Sequence, residues 1–334
     1  MKLGERTDGF GKGCQTAASE RQGGSGAALR VLNQGSEVVW ARHGTHVPRH
    51  GQVEWPSMSD RKERIEAFYR FLWPFLAADK SEYAYLDESP GGRPASEFLG
   101  EIPARRGIGA GSRLVDVGCG KGKQLVELGK RLGCDLIGVD PLEQNLELAA
   151  ERVRKESLQQ RVILRKGSIE KLPLEDASVD FVWCLDMFNH VEDIEGALAE
   201  CARVLKPGGS MMNCSAVGTD LLEPREARRV TDRLGINLDT LSQERMAAAF
   251  QAVGLRIVEY GTTTDEGSPF LEVFDDDMAR HALRFGKMRR SRSRMTARLG
   301  QEAFDILSAY DEWNIFLLLG KTTYGVWVLE RVRS

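Results

Sequence analysis

The sequence predicts an α/β fold: a mainly parallel sheet with helices on both faces. Three observations carry that prediction. Short apolar segments recur at residues 114–117, 136–139, 162–165, 180–184 and 209–215. Segments of helical length and period separate several of them, as crossover helices between parallel strands require. The first apolar segment runs directly into a glycine-rich bend, Gly118, Cys119, Gly120, Lys121 and Gly122. Strands buried on both faces read as apolar runs of this kind.

Each element follows in order. Residues 1–35 are rich in Gly, Ser and Gln and read as a flexible tail. They lack a continuous apolar signal core, which argues against secretion. Residues 36–106 read as an N-terminal extension. Its early part carries His43, His46 and His50 amid Gly and Pro, without an established metal-ligand spacing, so no metal site is expected. Residues 61–78 have the period of an amphipathic helix, with Ile65, Phe68, Tyr69, Phe71, Leu72 and Phe75 on the apolar side and a kink at Pro74. Such a helix packs on a core or closes a site as a lid. Residues 80–112 read as a linker.

The alternating region, 107–262, reads as the core domain. Its strands are those above, and helices are expected over 122–132, 142–154 and 194–205. Asp193 is placed to cap the last of these. Pro207 and Gly208 stop that helix and turn the chain into the fifth strand. A polar, helix-compatible stretch occupies 217–238, then a helix over 243–253 and a strand over 255–262. Residues 263–321 form a helical insertion, with helical patterns at 277–288 and 292–319, suited to capping a substrate. Residues 322–334 hold the closing strand, over 323–330.

The bend after the first strand narrows the ligand. It does not contain the GxxxxGK[ST] phosphate loop, and it lacks the last glycine of GxGxxG, because Gln124 and Lys123 follow Gly122. Asp116 precedes the bend. A carboxylate there suits a cofactor with a positively charged amino acid end and is unwelcome beside a pyrophosphate. Asp140 ends the second strand, where its oxygens can accept from two ribose hydroxyls. This combination points to S-adenosylmethionine rather than a dinucleotide.

The motif order then resembles the class I S-adenosylmethionine-dependent methyltransferases, especially the small-molecule group related to the ubiquinone-biosynthesis enzymes. The matching stretches are 115–122, 138–140, 172–182, 190–193 (His-Val-Glu-Asp) and 203–209 (Arg-Val-Leu-Lys-Pro-Gly-Gly). The resemblance implies a three-layer α/β sandwich with a seven-stranded sheet, mainly parallel, whose last strand is antiparallel, plus the N-terminal helical extension and a helical cap. It implies that Asp116, Gly118, Cys119 and Gly120 pass the methionine part of S-adenosyl-L-methionine. Asp140 would hold the ribose, Pro141 and Leu142 would lie near the adenine, and Ser168 and Ile169 would flank its edge. Many relatives carry Asp where Ser168 stands. Cys184, Leu185 and Asp186 would line the methionine side.

The expected reaction is methyl transfer to an oxygen, nitrogen or carbon of a small organic metabolite, in natural-product or other secondary metabolism. RNA or protein methylation, or a cofactor-binding scaffold without turnover, are the alternatives. His190 and Tyr310 are the candidate catalytic residues. His43, His46, Tyr69, Asp311 and Trp313 are further pocket candidates. A histidine equivalent to His190 is common in the resembling family across different substrates, so positioning is its expected role. Tyr310 and Trp313 lie three apart, on one side of a helix, as core or as an aromatic wall.

The formal net charge of −3 argues against bulk attraction to nucleic acid. The basic run from Arg284 to Arg298 lacks interleaved aromatics for base stacking, so no stable nucleic-acid complex is expected. No apolar run approaches ~18 residues, so membrane insertion is not expected. The six cysteines form no CxxC pair and read as buried groups or free thiols, consistent with a cytoplasmic location. The oligomer this reading admits is a homodimer.

Overall fold

The computed structural model describes Ile65 and residues 95–262 and 275–333. The expected tail, His43, His46 and His50, Tyr69 and the rest of the 61–78 helix apart from Ile65, and residues 263–274 lie outside the described residues.

Seven strands are present: β1 (Arg113–Val117), β2 (Asp135–Asp140), β3 (Val162–Lys166), β4 (Val179–Leu185), β5 (Leu205–Gly218), β6 (Leu255–Thr262) and β7 (Thr322–Arg331). They form one sheet in the order β3-β2-β1-β4-β5-β7-β6. The first five pair in parallel, and β7 lies between β5 and β6, antiparallel to both. This is the predicted α/β sandwich with its antiparallel last strand.

Alternate strand positions feed opposite layers, as the period of two requires. On one face Val115, Val117, Val139 and Val182 pack with Leu198 of α4 (Ile194–Val204) and Phe250 of α6 (Gln243–Ala252). On the other face Leu114, Leu136, Phe181 and Trp183 meet Leu99 of α1 (Ala95–Arg105), Leu125 of α2 (Lys123–Leu132) and Val153 of α3 (Glu143–Lys155). The order of sequence therefore becomes two apolar layers around one sheet.

Local chemistry sets the helix ends. Asp193 caps α4 as expected, its carboxylate accepting from the Gly196 amide at 2.9 Å. The expected stretch at 217–238 holds α5 (Pro224–Leu234), which starts on a proline at its first turn and stops at Gly235, in the left-handed region at φ +68°. Arg203 explains part of its motif: it donates to the carbonyls of Leu172 and Leu174 at 3.2 and 2.9 Å and pairs with Glu200 and Asp176. One guanidinium thus fixes the turn that leads into β4.

The expected linker at 80–112 contains helix α1, whose Leu99 and Ile102 are buried against the sheet, so the apolar spacing within it outweighed the glycines and prolines around it. Two boundaries also differ from expectation. β5 begins at Leu205 rather than residue 209, because a bulge between the pairings of Val179 and Phe181 absorbs the Lys206–Gly209 turn. The helix expected over 292–319 is two helices, α8 (Arg292–Leu299) and α9 (Gln301–Leu318), broken at Gly300 with φ +84°. A glycine adopts that dihedral without a Cβ penalty.

With α7 (Asp275–Arg290), these helices build a third apolar cluster: Val230 and Leu234 of α5, Met288 of α7, and Phe304 and Leu307 of α9. The Thr219 hydroxyl donates to the Gly320 carbonyl at 2.6 Å and Lys321 pairs with Glu226, so the end of β5 and the start of β7 are tied together beside α5. Among the described residues, no helix is long and apolar enough to cross a membrane.

Candidate functional site

The C-terminal ends of β1, β2 and β4 converge. Val117 pairs with Val139 on one side and with Cys184 on the other, so the residues just past each strand are neighbours. Between them lies the glycine bend. Gly118, Gly120 and Gly122 have φ of +76°, +50° and +74°. The amides of Gly118 and Cys119 donate to the Val139 carbonyl at 2.8 and 3.0 Å, which fastens the bend to β2. A Cβ at Gly118 would fall 2.7 Å from Met187 Cγ, and one at Gly122 would fall 2.9 Å from Ala149 Cβ. Those two glycines serve close packing. A Cβ at Gly120 would meet nothing within 4 Å. There the backbone borders open space that a ligand can approach.

Two carboxylates face this bend. Asp140 is buried and nearly saturated: Oδ2 accepts from the Gly120 amide at 2.9 Å, and Oδ1 from the Leu142 amide at 2.9 Å and Asn145 Nδ2 at 3.1 Å. Burial raises its pKa, and these three donors oppose the rise. A carboxylate offers about four acceptor positions, so ribose hydroxyls would share or displace one of these donors. Asp116 is only 3% exposed, and its Oδ2 has no hydrogen-bond partner. Burial, and then the Asp140 charge, push its pKa from the ordinary 3.8 up to about 8. Two buried carboxylates, one orphaned oxygen and an open backbone cradle make a site suited to a cation attached to a hydrogen-bonding body.

The other expected donor-site residues cluster here to differing degrees. The Gly167 amide donates to the Asp140 carbonyl at 3.2 Å, which brings Ser168 beside Asp140, with Ile169 buried below in the core. Pro141 is exposed and Leu142 half-buried. Cys119, Cys184 and Leu185 are buried. Burial first, and then the neighbouring Cys201, push the Cys184 thiol well above its ordinary range, so it is a core thiol rather than a nucleophile. Asp186 follows in the left-handed region at φ +52°, its amide donating to the Cys214 carbonyl at 2.7 Å.

His190 ends a 3₁₀ turn, Phe188–His190. The structural weight of that turn falls on its neighbour Asn189, which the sequence reading passed over. Asn189 is 2% exposed; its Nδ2 donates to the Ala216 carbonyl and to Thr240 Oγ1, both at 3.0 Å, and its Oδ1 accepts from the Ala216 amide at 3.0 Å. Asn189→Ala should therefore lower unfolding stability by about 3 kcal/mol, the cost of stranding buried polar partners. Urea unfolding reads this directly; a loss below about 1 kcal/mol would deny Asn189 the role of strut.

A second cluster joins α7 to α9. Asp311 is wholly buried, its Oδ1 2.9 Å from His281 Nδ1, and Arg284 Nε lies 2.9 Å from both carboxylate oxygens. The Tyr310 ring stands edge-on to His281, with centroids 5.5 Å apart. Burial pushes the Tyr310 phenol up to about 12, opposed by Arg284 and by hydrogen bonding to Asn314 and reinforced by the charges of Asp311 and Asp186. Trp313 packs instead toward the Trp183 layer and the third cluster. Sequence spacing could have paired His281 with Arg284, three residues apart on one helix face. Their partner lies 30 residues from His281 on another helix, which no local period reveals.

Comparison with known proteins follows this geometry. A family model described as a methyltransferase domain matches residues 115–213. The chain is 32% identical over 140 residues to Methyltransferase GfsG of Streptomyces halstedii, covering 41% of this chain and 50% of that protein. It is 34% identical over 146 residues to 27-O-demethylrifamycin SV methyltransferase of Amycolatopsis mediterranei, covering 44% and 50%. The chain thus spans about half the length of these curated relatives. Among solved structures, the [4+2]-cyclase SpnF superposes with a TM-score of 0.56 at 19% identity, covering 72% of this chain and 83% of that one. At that identity the likeness concerns the fold.

Proposed function

The chain belongs to the class I S-adenosylmethionine-dependent methyltransferases, and from that premise we propose that it methylates a small organic metabolite, in natural-product biosynthesis. Its motif order fits the small-molecule branch to which the ubiquinone-biosynthesis enzymes belong. The observation that carries the reading is the Asp116–Asp140 carboxylate pair around the open Gly120 backbone. Asp116 meets the positive end of S-adenosyl-L-methionine, Asp140 the ribose, and Ser168 the adenine edge. The donor supplies an electrophilic sulfonium methyl group.

What remains for the chain is to orient the acceptor, exclude water and take a proton. We assign the proton to His281. In the tautomer whose Nδ1–H donates to Asp311, the Nε2 lone pair is left as acceptor. An oxygen or nitrogen acceptor gives up its proton there as its lone pair forms the bond to the methyl carbon, the carbon–sulfur bond breaks and the electron pair goes to sulfur. Arg284 balances the buried Asp311 charge. Tyr310, kept protonated at neutral pH, donates a hydrogen bond and is not the base. The relative acting on 27-O-demethylrifamycin SV supports an oxygen acceptor. The helices between β6 and β7 form the acceptor cap.

His190 acts by position. His190→Ala should slow single-turnover methyl transfer by no more than about tenfold, where a general base contributes ~10²–10⁴-fold. A loss in the upper range would return the base to His190. The donor assignment is tested by calorimetry: S-adenosylhomocysteine should bind, NAD should bind far more weakly, and the reverse order would end the reading. Acceptor-dependent release of S-adenosylhomocysteine from a metabolite extract, and not from purified RNA, tests the acceptor class. We place the protein in the cytoplasm, in keeping with five buried free cysteines among the described residues.

A further inference from the structure

The basic run from Arg284 to Arg298 does not form one solvated face. Arg284 turns inward to Asp311, whereas Arg289 and Arg292 border a cavity of about 370 Å³ between α5, α7, α8 and α9. The Arg289 guanidinium lies 5.5 Å over the Phe285 ring, and that of Arg292 lies 5.6 Å over Phe304. Arg233 enters from α5. The two acidic lining groups have partners: Glu312 pairs with Arg229, itself in the cavity wall, and Asp305 accepts from Gln301 at 2.8 Å. Among the described residues, no carboxylate pairs with Arg233, Arg289 or Arg292. Ser308 also lines the cavity. It is 7% exposed, and its hydroxyl has no hydrogen-bond partner.

None of His281, Arg284, Tyr310 and Asp311 lines the cavity, although Phe285 lies one turn from His281 on α7. Ser308 and Glu312 are one turn apart on α9, while Tyr310 lies two residues from each, about 200° around the helix. The cavity therefore opens on the α9 face turned away from Tyr310 and Asn314. Three unpaired guanidiniums, two held in place by aromatic rings, and one buried unpartnered hydroxyl need an acceptor-rich anion. A phosphoryl group supplies three oxygens and up to two charges, the geometry that arginine forks match. A concave site of this size takes a small molecule rather than a nucleic-acid backbone.

We propose that this cavity is a second ligand site, for a phosphate-bearing small metabolite, separate from the donor and acceptor sites. The inference does not depend on the methyl-transfer reading. The test uses the full chain and four probes: inorganic phosphate, phenyl phosphate, neutral phenol and a single-stranded RNA oligonucleotide. Titration is followed by phosphorus NMR and calorimetry, alongside S-adenosylhomocysteine binding. Saturable binding of inorganic phosphate at millimolar concentration is expected, as is no binding of phenol. Tighter binding of phenyl phosphate would identify an organic phosphomonoester; equal binding would identify free phosphate.

Arg289 and Arg292 are exposed, so the double variant Arg289→Gln/Arg292→Gln should fold. It should weaken phosphate binding about tenfold or more through loss of charge-assisted hydrogen bonds. Ser308→Ala should weaken it less, and both should leave S-adenosylhomocysteine affinity unchanged. The proposal is overturned by no saturable phosphate binding to the parent chain, by equal affinity in the arginine variant, or by RNA binding far more tightly than either phosphate.

Discussion

Asp116→Asn should weaken S-adenosylhomocysteine binding roughly a hundredfold while making the ligand-free protein more stable above pH 8. Removing one partner of a buried charge pair costs about 3 kcal/mol, hence the hundredfold. The stability effect has the opposite sign for a physical reason. The folded-state pKa of Asp116 is raised from 3.8 to about 8 by burial and by Asp140. Between those values the folded protein retains a proton that the unfolded chain has released. Stability therefore falls as pH rises through that window, and the amide removes the penalty. A cationic ligand reverses the preference, so binding at neutral pH should release a proton, and affinity should climb with pH and level off above about 8. Calorimetry in two buffers of different ionisation enthalpy measures that proton, which the Asn variant should no longer release. Unchanged affinity in the variant would take Asp116 out of the donor site.

His281→Gln should reduce single-turnover methyl transfer about 10²–10³-fold at saturating donor and acceptor, within the range general bases contribute. S-adenosylhomocysteine affinity should hold, because His281 lies in the cap cluster rather than at the bend. Asp311→Asn should give a similar loss, since the amide no longer enforces the tautomer, and it should also destabilise the fold by leaving Arg284 without its buried partner. A rate within about threefold of the parent would place the base elsewhere or show that the acceptor sheds its proton to water.

The core was legible in the sequence because its determinants are local. Strands β1 to β4 announce themselves as apolar runs, and the bend after β1 needs three glycines with positive φ within five residues. Asp193 could be read as a cap because a cap bonds three residues ahead. Two boundaries were missed where local rules compete. The strand register around Val179 and Phe181 absorbs a turn that composition alone places outside the strand, and one glycine divides a helical period that otherwise continues through it. The candidate site was legible in the same measure. Asp116 and Asp140 stand at the ends of β1 and β2, where strand pairing alone brings them to the glycine bend. His281 and Asp311 meet only because α7 and α9 pack together, and Asn189 matters only because β5 and the Leu238–Leu241 turn lie beside it. No spacing in the chain encodes those meetings.

One feature of the sheet bears on how such a protein diversifies. β6 and β7 are antiparallel neighbours, so the chain between Thr262 and Thr322 occupies the position of a hairpin turn. The entropy of closing a loop grows only slowly with its length, each doubling adding about 0.6 kcal/mol. A connection there can thus lengthen, shorten or be exchanged whole at little cost to the strands that anchor it. The two anchors stay a fixed distance apart whatever is carried between them. The architecture has the form of a socket: on the proposed reading, grafting the corresponding segment of a relative between these two strands should transplant an acceptor preference and leave the donor half of the molecule as it was.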